Sequence, residues 1–193
     1  MFDIVCTAMK ERIHLVEYLQ FHIPNLKIVW DKNHDAMDTF MRAWKEYPTV
    51  PSLRIQDDII LTEEFLPKVT AVIDKYPNDV IQFFSMRKAD IEIGSRWENG
   101  STWLMNQCHY LPAGMSGKIH EYGKTWKGLS EAPTADDWLM RDYFKEHKIK
   151  YYLHCPSLVE HASVYSQINR KRSRFRKSKT FTNPNYVNFP AID

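Results

Sequence analysis

The sequence is poor in cysteine and contains no long apolar run. Only three of its 193 residues are cysteines, Cys6, Cys108 and Cys155, and no two of them form a CxxC pair. An odd number without such a pair argues against a disulfide framework or a zinc knuckle, and it favours a reducing compartment. No stretch approaches the length of a membrane span, and charged residues follow Met1 too closely for a signal peptide. We therefore expect a cytoplasmic protein with no membrane partner.

Acidic residues are absent from one segment near the C-terminus, residues 170–179, which we call the basic strip. The strip holds seven lysines and arginines, and the rest of the chain has 19 basic against 24 acidic residues. The net charge of +2 is therefore divided into a body of −5 and a strip of +7. A cluster of positive charge of this kind predicts a ligand that carries phosphate.

The whole chain is 44% hydrophobic and 26% charged. In its first half, apolar runs of strand length alternate with segments of helical period. The runs lie at residues 2–6, 26–30, 53–55 and 80–86, and the helical segments lie at 13–23, 37–44 and 63–75. Strands that alternate with helices are typical of α/β proteins with largely parallel sheets. We therefore predict an α/β fold, a Rossmann-like domain with a mostly parallel central sheet flanked by helices.

The second half of the chain is less regular. It predicts a loop-like insert at residues 87–102, a strand at 103–111, a short helix at 114–122, a helix at 134–147 capped by Thr134, and a strand at 151–158. No repeat or linker divides the chain, so we expect one domain over residues 1–193. Within it we assign nucleotide binding to residues 1–86, acceptor binding and catalysis to 87–162, and a basic C-terminal segment to 163–193.

Carboxylates follow two of the predicted strands. Asp31 comes after the second apolar run, and the adjacent Asp57 and Asp58, the acid pair, come after the third. In an open α/β sheet, ligands bind where the carboxyl ends of the strands converge. The burial of two adjacent carboxylates there is unfavourable in free energy unless a positive group binds them. A divalent cation that holds a diphosphate is such a group. The alternative is a solvated pair that complements the dipole of the next helix.

Two further groups of residues can take part in the same chemistry. His161 follows the last predicted strand and precedes the basic strip by nine residues, so one segment offers both a metal ligand and a phosphate clamp. Its alternative is a structural histidine. Asp136 and Asp137 lie in the first turn of the predicted helix after Thr134, where a carboxylate can act as a general base. Their alternative is simple capping of that helix.

The order of these features resembles small glycosyltransferases of the GT-A type, particularly short phage and bacterial forms with a QDD or EDD signature. The resemblance covers roughly residues 2–181. It depends on LRIQDDIILTEEF at residues 53–65 and on CPSLVEH at residues 155–161, which the basic strip follows. It implies a GT-A-like fold and the transfer of a sugar from a nucleotide donor, with a UDP-sugar as the expected partner.

The resemblance also implies roles for individual residues. Asp58 and His161 would bind Mn²⁺ or Mg²⁺, and Asp137 or Asp136 would be the catalytic base of an inverting enzyme, with Asp137 preferred. The residues expected around the donor nucleotide-sugar are Thr7, Arg12, Asp31, Arg42, Gln56, Asp57, Arg170 and Arg172. The sequence departs from the strict Asp-x-Asp pattern of the family at one position, because Gln56 replaces the first acid.

The acceptor is expected to lie against the insert and the residue that follows it. Arg96, Trp97 and Trp103 interleave basic and aromatic groups, which can stack on a sugar or on a base. The favoured acceptor is a hydroxymethylated pyrimidine of phage DNA, which an enzyme must flip out of the duplex. A cell-surface glycan is the alternative.

Two other classes of function stay open at the level of sequence. The chain could be a non-catalytic nucleic-acid-binding protein that uses the basic strip, with its acids solvated. It could also be a nucleotidyltransferase that uses the same metal-bound acids on a triphosphate. The sequence does not predict the donor sugar, the nucleotide base or the oligomeric state.

Overall fold

A computed structural model describes residues 1–130, 135–164 and 176–182 of the chain. The strands in this part are β1 (Asp3–Ala8), β2 (Lys27–Trp30), β3 (Ser52–Gln56), β4 (Ile59–Leu61), β5 (Val80–Gln82), β6 (Arg96–Asn99), β7 (Cys108–Leu111), β8 (Lys150–Leu153) and β9 (Val159–His161). The α-helices are α1 (Ile13–His22), α2 (Ala36–Glu46), α3 (Phe65–Lys75), α4 (Asp90–Ile93), α5 (Met115–Gly123) and α6 (Asp136–Glu146). No helix in the described part has the length and apolarity to cross a bilayer.

Seven of the strands form one sheet, in the order β2-β1-β3-β7-β5-β8-β6. β1 is parallel to β2 and β3, and β5 is parallel to β8. β7 lies antiparallel between β3 and β5, and β6 is antiparallel to β8 at one edge. Five of the seven strands therefore run in the same direction. This arrangement confirms the predicted α/β fold with a mostly parallel sheet.

Apolar side chains cover both faces of the sheet. On one face, Val16 and Leu19 of α1 and Val69 of α3 pack with the strands. On the other face, Trp44 of α2 and Phe144 of α6 lie in a second cluster. Helices on both faces bury nearly every residue of the central strands β3, β5 and β7, whereas the edge strand β6 alternates between half-buried and exposed residues.

Three predicted strands are shorter in the structure than the apolar runs that predicted them. The runs at residues 80–86, 103–111 and 151–158 contribute only β5, β7 and β8 to the sheet. Beyond β5 the chain stays buried, because Phe83 and Phe84 have no exposed surface, but it leaves the ladder. An apolar run reports burial and does not by itself report strand pairing.

The predicted loop-like insert and the region after the acid pair hold elements that the sequence did not predict. Residues 87–102 contain α4, the edge strand β6 and a 3-10 turn at Gly100–Thr102. β4 begins directly after Asp58 and pairs with β9 in a separate two-stranded sheet, where Ile59 lies opposite His161. This small sheet brings the two ends of the predicted metal site together.

Candidate active site

The carboxyl ends of β1, β2 and β3 meet at one end of the sheet. The backbone N–H of Asp57 donates to Thr7 O at 3.1 Å, and that of Asp31 donates to Ala8 O at 2.7 Å. The chain segments that leave the three strands are therefore held side by side. They form one wall of a cleft that Thr7, Arg12, Gln56 and the acid pair line.

Arg12 holds the two carboxylates of the acid pair at the floor of the cleft. Its Nη1 lies 2.7 Å from Asp57 Oδ1 and 3.0 Å from Asp58 Oδ2. The second oxygen of Asp57 accepts the Met9 backbone N–H at 2.8 Å. All three charged side chains are buried, with Asp57 3% exposed, Asp58 5% and Arg12 8%. Buried charges are tolerated when they are paired in this way.

The acid pair titrates asymmetrically. Burial raises the pKa of Asp57 above its usual value, against the opposing charge of Arg12, and the negative charge of Asp58 raises it further. Burial would also raise the pKa of Asp58, but His161, Arg12 and Arg176 around that carboxylate outweigh it and lower its pKa well below the usual value. Asp58 is therefore the member of the pair that stays ionised.

His161 reaches the acid pair because β9 pairs with β4. Its Nε2 lies 3.4 Å from Asp58 Oδ2, and its side chain has no exposed surface. Arg176 Nη2 lies 2.8 Å from the same ring nitrogen. Because a guanidinium N–H can only donate, His161 Nε2 is the acceptor of that bond. A lone pair of the imidazole therefore faces the position that Arg176 occupies.

Asp58 and His161 have the chemistry of a cation site. Asp58 Oδ1 is buried without a hydrogen-bond partner in the described part of the chain, so one carboxylate oxygen is available as a ligand. Among residues 1–130, 135–164 and 176–182, no three or more His, Cys, Asp or Glu side chains are grouped to hold a metal by themselves. The pair thus fits Mg²⁺ or Mn²⁺ that takes its other ligands from phosphate and water, as Mg²⁺ usually does.

The opposite wall of the cleft is built from the 105–107 segment and the start of α6. Asn106 Nδ2 donates to Asp136 Oδ2, and Asn106 Oδ1 accepts from Trp103 Nε1 at 2.8 Å. Gln107 O accepts the backbone N–H of Gln56 at 3.0 Å, which ties this wall to the end of β3. Asp136 is 8% exposed, whereas Asp137 is partly exposed and also lines the cleft.

The segment before Asn106 is held in an uncommon conformation. Met105 has a φ of 73°, in the left-handed region that a residue other than glycine rarely adopts. Gln82 Nε2 stabilises the bend by donating to Leu104 O at 2.6 Å and to Met105 O at 2.9 Å. Strain of this kind is found where a structure must present particular groups to a ligand.

Asp31 lines the cleft, but its carboxylate oxygens bind its own loop. They accept from the backbone N–H groups of Asn33, His34 and Asp35 and from Thr39 Oγ1, at 2.6 to 3.2 Å. Arg42 does not line the cleft. It donates to Asp38 Oδ2 at 2.9 Å and to Trp30 O at 2.9 Å, and so secures the same loop from behind.

The residues predicted to bind the acceptor lie elsewhere. Trp103 is 2% exposed and packs on Phe144 and Tyr151, so it supports Asn106 from the core and cannot stack on a ligand. Arg96 pairs with Asp90 and Glu98 on the edge strand β6, and Trp97 lies on the same strand, outside the cleft. Arg170, Arg172 and Thr134 lie outside the described residues.

The structure brings together most of the predicted site and adds residues to it. Thr7, Arg12, Gln56, both members of the acid pair, Asp136 and Asp137 line one cleft, and His161 lies against its floor. Asn106, Gln107 and Arg176 join them. Arg176 belongs to the basic strip, so the charge pattern contained a signal for it. Asn106 and Gln107 stand in an ordinary polar stretch that contained none.

No family model matches the chain, and no curated protein matches it. Among solved structures, A197 from STIV is similar over 96% of each chain, with 17% identity and a TM-score of 0.47. The CTP:phosphocholine cytidylyltransferase of Streptococcus pneumoniae has 11% identity over 82% of this chain and 72% of its own, with a TM-score of 0.49. A UDP-glucose pyrophosphorylase has 11% identity over 78% and 72%, with a TM-score of 0.47. Likenesses this distant do not assign a function, which has to be argued from the cleft.

Proposed function

We propose that the chain is a glycosyltransferase that binds a nucleoside-diphosphate sugar in the cleft and transfers the sugar to an acceptor hydroxyl with inversion. The observation that carries the proposal is the pairing of two walls. The acid pair with His161 lies at the carboxyl ends of the strands, and Asp136 and Asp137 lie on the wall opposite. One wall suits a cation and a diphosphate, and the other suits a nucleophile that needs a base.

The charge of the cleft supports a cation at the donor site. Within the part of the chain that the structure describes, the charged residues that line it are Asp31, Asp57, Asp58, Asp136 and Asp137 against Arg12 and Arg176. This excess of negative charge would repel a diphosphate unless a positive group came with it. Asp58 and His161 would hold a divalent ion that would supply that charge and would stabilise the charge that develops on the leaving diphosphate.

The residues of this chain then have separate tasks in the transfer. Arg12 and the backbone of β1 and β3 hold Asp57 and Asp58 in place at the proposed donor site. Asp137 accepts the proton of the acceptor hydroxyl while that oxygen attacks the anomeric carbon. The bond from the anomeric carbon to the phosphate oxygen breaks, and its electron pair leaves with the nucleoside diphosphate.

The opposite wall supports glycosyl transfer rather than nucleotidyl transfer. In that reaction the attacking group is a phosphate, which is already anionic at neutral pH and needs no base. The carboxylates of Asp136 and Asp137 would repel it. A hydroxyl nucleophile is neutral and benefits from a carboxylate, so the acidic wall favours glycosyl transfer.

The same charge bears on the acceptor and on the non-catalytic alternative. The acidic cleft repels the phosphates of DNA, so we propose a sugar hydroxyl of a glycan as the acceptor rather than a hydroxymethylated pyrimidine. In a nucleic-acid-binding protein that makes no use of the acid pair, Asp57 and Asp58 would be solvated. Asp57 and Asp58 are 3% and 5% exposed and bind Arg12, which does not fit that alternative.

Calorimetry with nucleotides tests the proposed function. We expect UDP and UDP-glucose to bind in the presence of Mn²⁺ and to bind at least tenfold more weakly with EDTA, because the cation offsets the negative cleft. GDP-, ADP- and dTDP-glucose extend the panel to other bases. The Asp58→Asn variant is the matched control, since it removes the ligand charge and keeps the shape. Release of pyrophosphate from UTP with a sugar phosphate would contradict glycosyl transfer, and a failure of every nucleotide to bind would refute the donor site.

A further inference from the structure

Segment 176–182, which we call the strap, lies across the small sheet and places Arg176 at the candidate cation site. We infer that Arg176 and the divalent cation occupy one position beside Asp58 and His161 in turn, so that the strap is a tethered plug of this site. The inference rests on the cation of the proposed function, and it concerns how this chain controls access to it.

Both occupants need the lone pair of His161 Nε2. Arg176 Nη2 is 2.8 Å from this nitrogen, which lies 3.4 Å from Asp58 Oδ2, the oxygen that also accepts from Arg12. The other oxygen of the same carboxylate, Asp58 Oδ1, is the one left for a cation. The imidazole lone pair that a cation needs is the one that accepts from Arg176. A cation can use it only after the guanidinium has moved.

Charge makes the two occupants exclusive as well. Arg176 offsets the negative charge of the acid pair, as a bound cation would. A guanidinium and a divalent ion that shared the two ligands would repel each other within contact distance in a buried site. The exchange of one for the other keeps the buried carboxylates compensated throughout, which a site that simply emptied would not do.

The strap is anchored by hydroxyl and backbone groups that do not line the cleft. Ser178 Oγ donates to Ser157 Oγ at 2.9 Å and accepts the backbone N–H groups of Thr180 and Phe181. The Ser178 N–H donates to Glu160 Oε1 at 2.9 Å, and the Ser157 N–H donates to Thr180 Oγ1 at 3.0 Å. These bonds hold the C-terminal side of the strap, so Arg176 can swing away while the strap stays attached.

Binding of Mn²⁺ to the full chain without nucleotide tests the plug. We expect Arg176→Met, which keeps the length of the side chain and removes its charge, to bind Mn²⁺ at least tenfold more tightly than the unaltered protein in titration calorimetry. Lys179→Met is the matched control, because Lys179 is an exposed cation of the same strap and its loss has the same effect on net charge. We expect it to change the affinity by less than about twofold, as solvent screens a distant exposed charge.

Hydrogen exchange provides a second measurement that needs no variant. Saturating Mn²⁺ should leave exchange at the amides of Ser178 and Thr180 unchanged in the unaltered protein, because their hydrogen bonds hold the strap while Arg176 moves away. Equal Mn²⁺ affinity in Arg176→Met and Lys179→Met, weaker binding in Arg176→Met, or faster exchange at these two amides would each overturn the tethered plug. A failure of all variants to bind Mn²⁺ would also overturn the plug. If a nucleoside diphosphate still bound in the presence of EDTA, the proposed donor site would be unaffected by that result.

Discussion

Asp57 and Asp58 are neighbours in the chain, but their carboxylates have different tasks. Both oxygens of Asp57 are used inside the protein, one by Arg12 and one by the Met9 backbone N–H. Asp58 gives one oxygen to Arg12 and has a second without a partner in the described structure. The pKa shifts agree, since burial raises the pKa of Asp57 and the basic side chains around Asp58 lower that of Asp58. Asp57 therefore organises the floor of the cleft, and Asp58 keeps one oxygen for the proposed cation.

Asp136 and Asp137 differ in the same way on the opposite wall. Asp136 is buried and accepts from Asn106, whereas Asp137 is partly exposed and accepts the Trp138 backbone N–H at 3.1 Å. A base must reach the acceptor, so we assign that role to Asp137 and the support of the wall to Asp136. The sequence-based prediction already preferred Asp137, although both residues stand in the first turn of one helix.

Replacement of Asp137 by asparagine tests this assignment. We expect Asp137→Asn to lower kcat about 10²- to 10⁴-fold, because the amide cannot accept the proton of the acceptor hydroxyl. The affinity for the donor nucleotide should change little, since the variant leaves the acid pair and His161 untouched. Steady-state transfer assays combined with nucleotide calorimetry separate the two quantities.

Asp142→Asn is the control for that variant. Asp142 lies on the same helix and accepts from Trp126 Nε1 at 3.1 Å, away from the cleft. It should keep kcat within about twofold. A variant at Asp137 with full turnover, or one whose only defect is weaker donor binding, would remove the residue from the role of base.

At the scale of elements, the small sheet of β4 and β9 decides where the site forms. β4 follows the acid pair without a loop, and its pairing with β9 sets Ile59 opposite His161. The same pairing places the backbone N–H of Ala162 2.8 Å from Asp58 O. Two segments separated by about 100 residues in the chain thereby share one hydrogen-bonded ladder, which is a rigid way to position a carboxylate and an imidazole.

The elements that the sequence predicted best are those whose apolar pattern decides their structure alone. α1, α2, α3 and the first three strands lie within a few residues of their predicted bounds, because their periodicity is strong and both sheet faces are covered. The acid pair was predictable for the same reason, since it follows one of these strands. β4 and β9 were not, because three-residue strands depend on a distant partner.

Parts of the site that depend on distant contacts could not be predicted either. Asn106 matters because Trp103 donates to it from the core and it donates to Asp136. Trp103 itself was predicted to contact the acceptor from the start of a strand, and the structure buries it against Phe144. Nothing in the local sequence distinguishes an aromatic that stacks on a ligand from one that fills the core.

The 3-10 turn at Gly100–Thr102 contacts α6, the helix whose first turn carries Asp136 and Asp137. A Cβ built on Gly100 would lie 2.4 Å from Phe144 Cβ and 2.6 Å from Ile149 O, too close for any side chain. We expect Gly100→Ala to push α6 away and to destabilise the protein by about 1–3 kcal/mol, in the range of overpacked cores. Urea unfolding measures the loss, and a fall in kcat should accompany it because Asp137 moves with the helix.

Ser101→Ala is the matched control for this contact. Ser101 is the next residue of the same turn, and it is exposed. A surface substitution of this kind should change the free energy of unfolding by no more than about 0.5 kcal/mol. If Gly100→Ala were as stable as Ser101→Ala, the close approach of turn and helix would not be what holds α6.

The molecule as a whole carries a buried titratable group that is not in the active site. His109 of β7, the strand at the centre of the sheet, has no exposed surface, and neither ring nitrogen has a hydrogen-bond partner in the described structure. Burial, together with the positive charge of Arg54 on the neighbouring strand, lowers the pKa of His109 to about 3. The folded protein therefore keeps this imidazole neutral in mild acid, when an unfolded chain would protonate it.

This difference makes the stability of the fold depend on pH. Between the unfolded pKa, about 6.5, and the folded value, the unfolded state binds one proton more than the folded state, so stability falls as pH falls. The slope for one proton is about 1.4 kcal/mol per pH unit, and a step from pH 6.5 to 5 therefore costs about 2 kcal/mol. The contribution is fully present above pH 6.5 and is lost progressively below it.

His109→Leu isolates this contribution, because it removes the proton-binding group and keeps the site apolar. We expect the free energy of unfolding in urea to fall between pH 7 and pH 5 by about 2 kcal/mol less in the variant than in the unaltered protein. Asp57 titrates in the same region, since burial raises its pKa to about 6, but it is identical in both proteins and cancels in the comparison. Circular dichroism at pH 7 checks that the variant folds. If the two proteins had an equal pH dependence, His109 would be protonated within the folded sheet. That result would contradict the inference that its buried imidazole stays neutral.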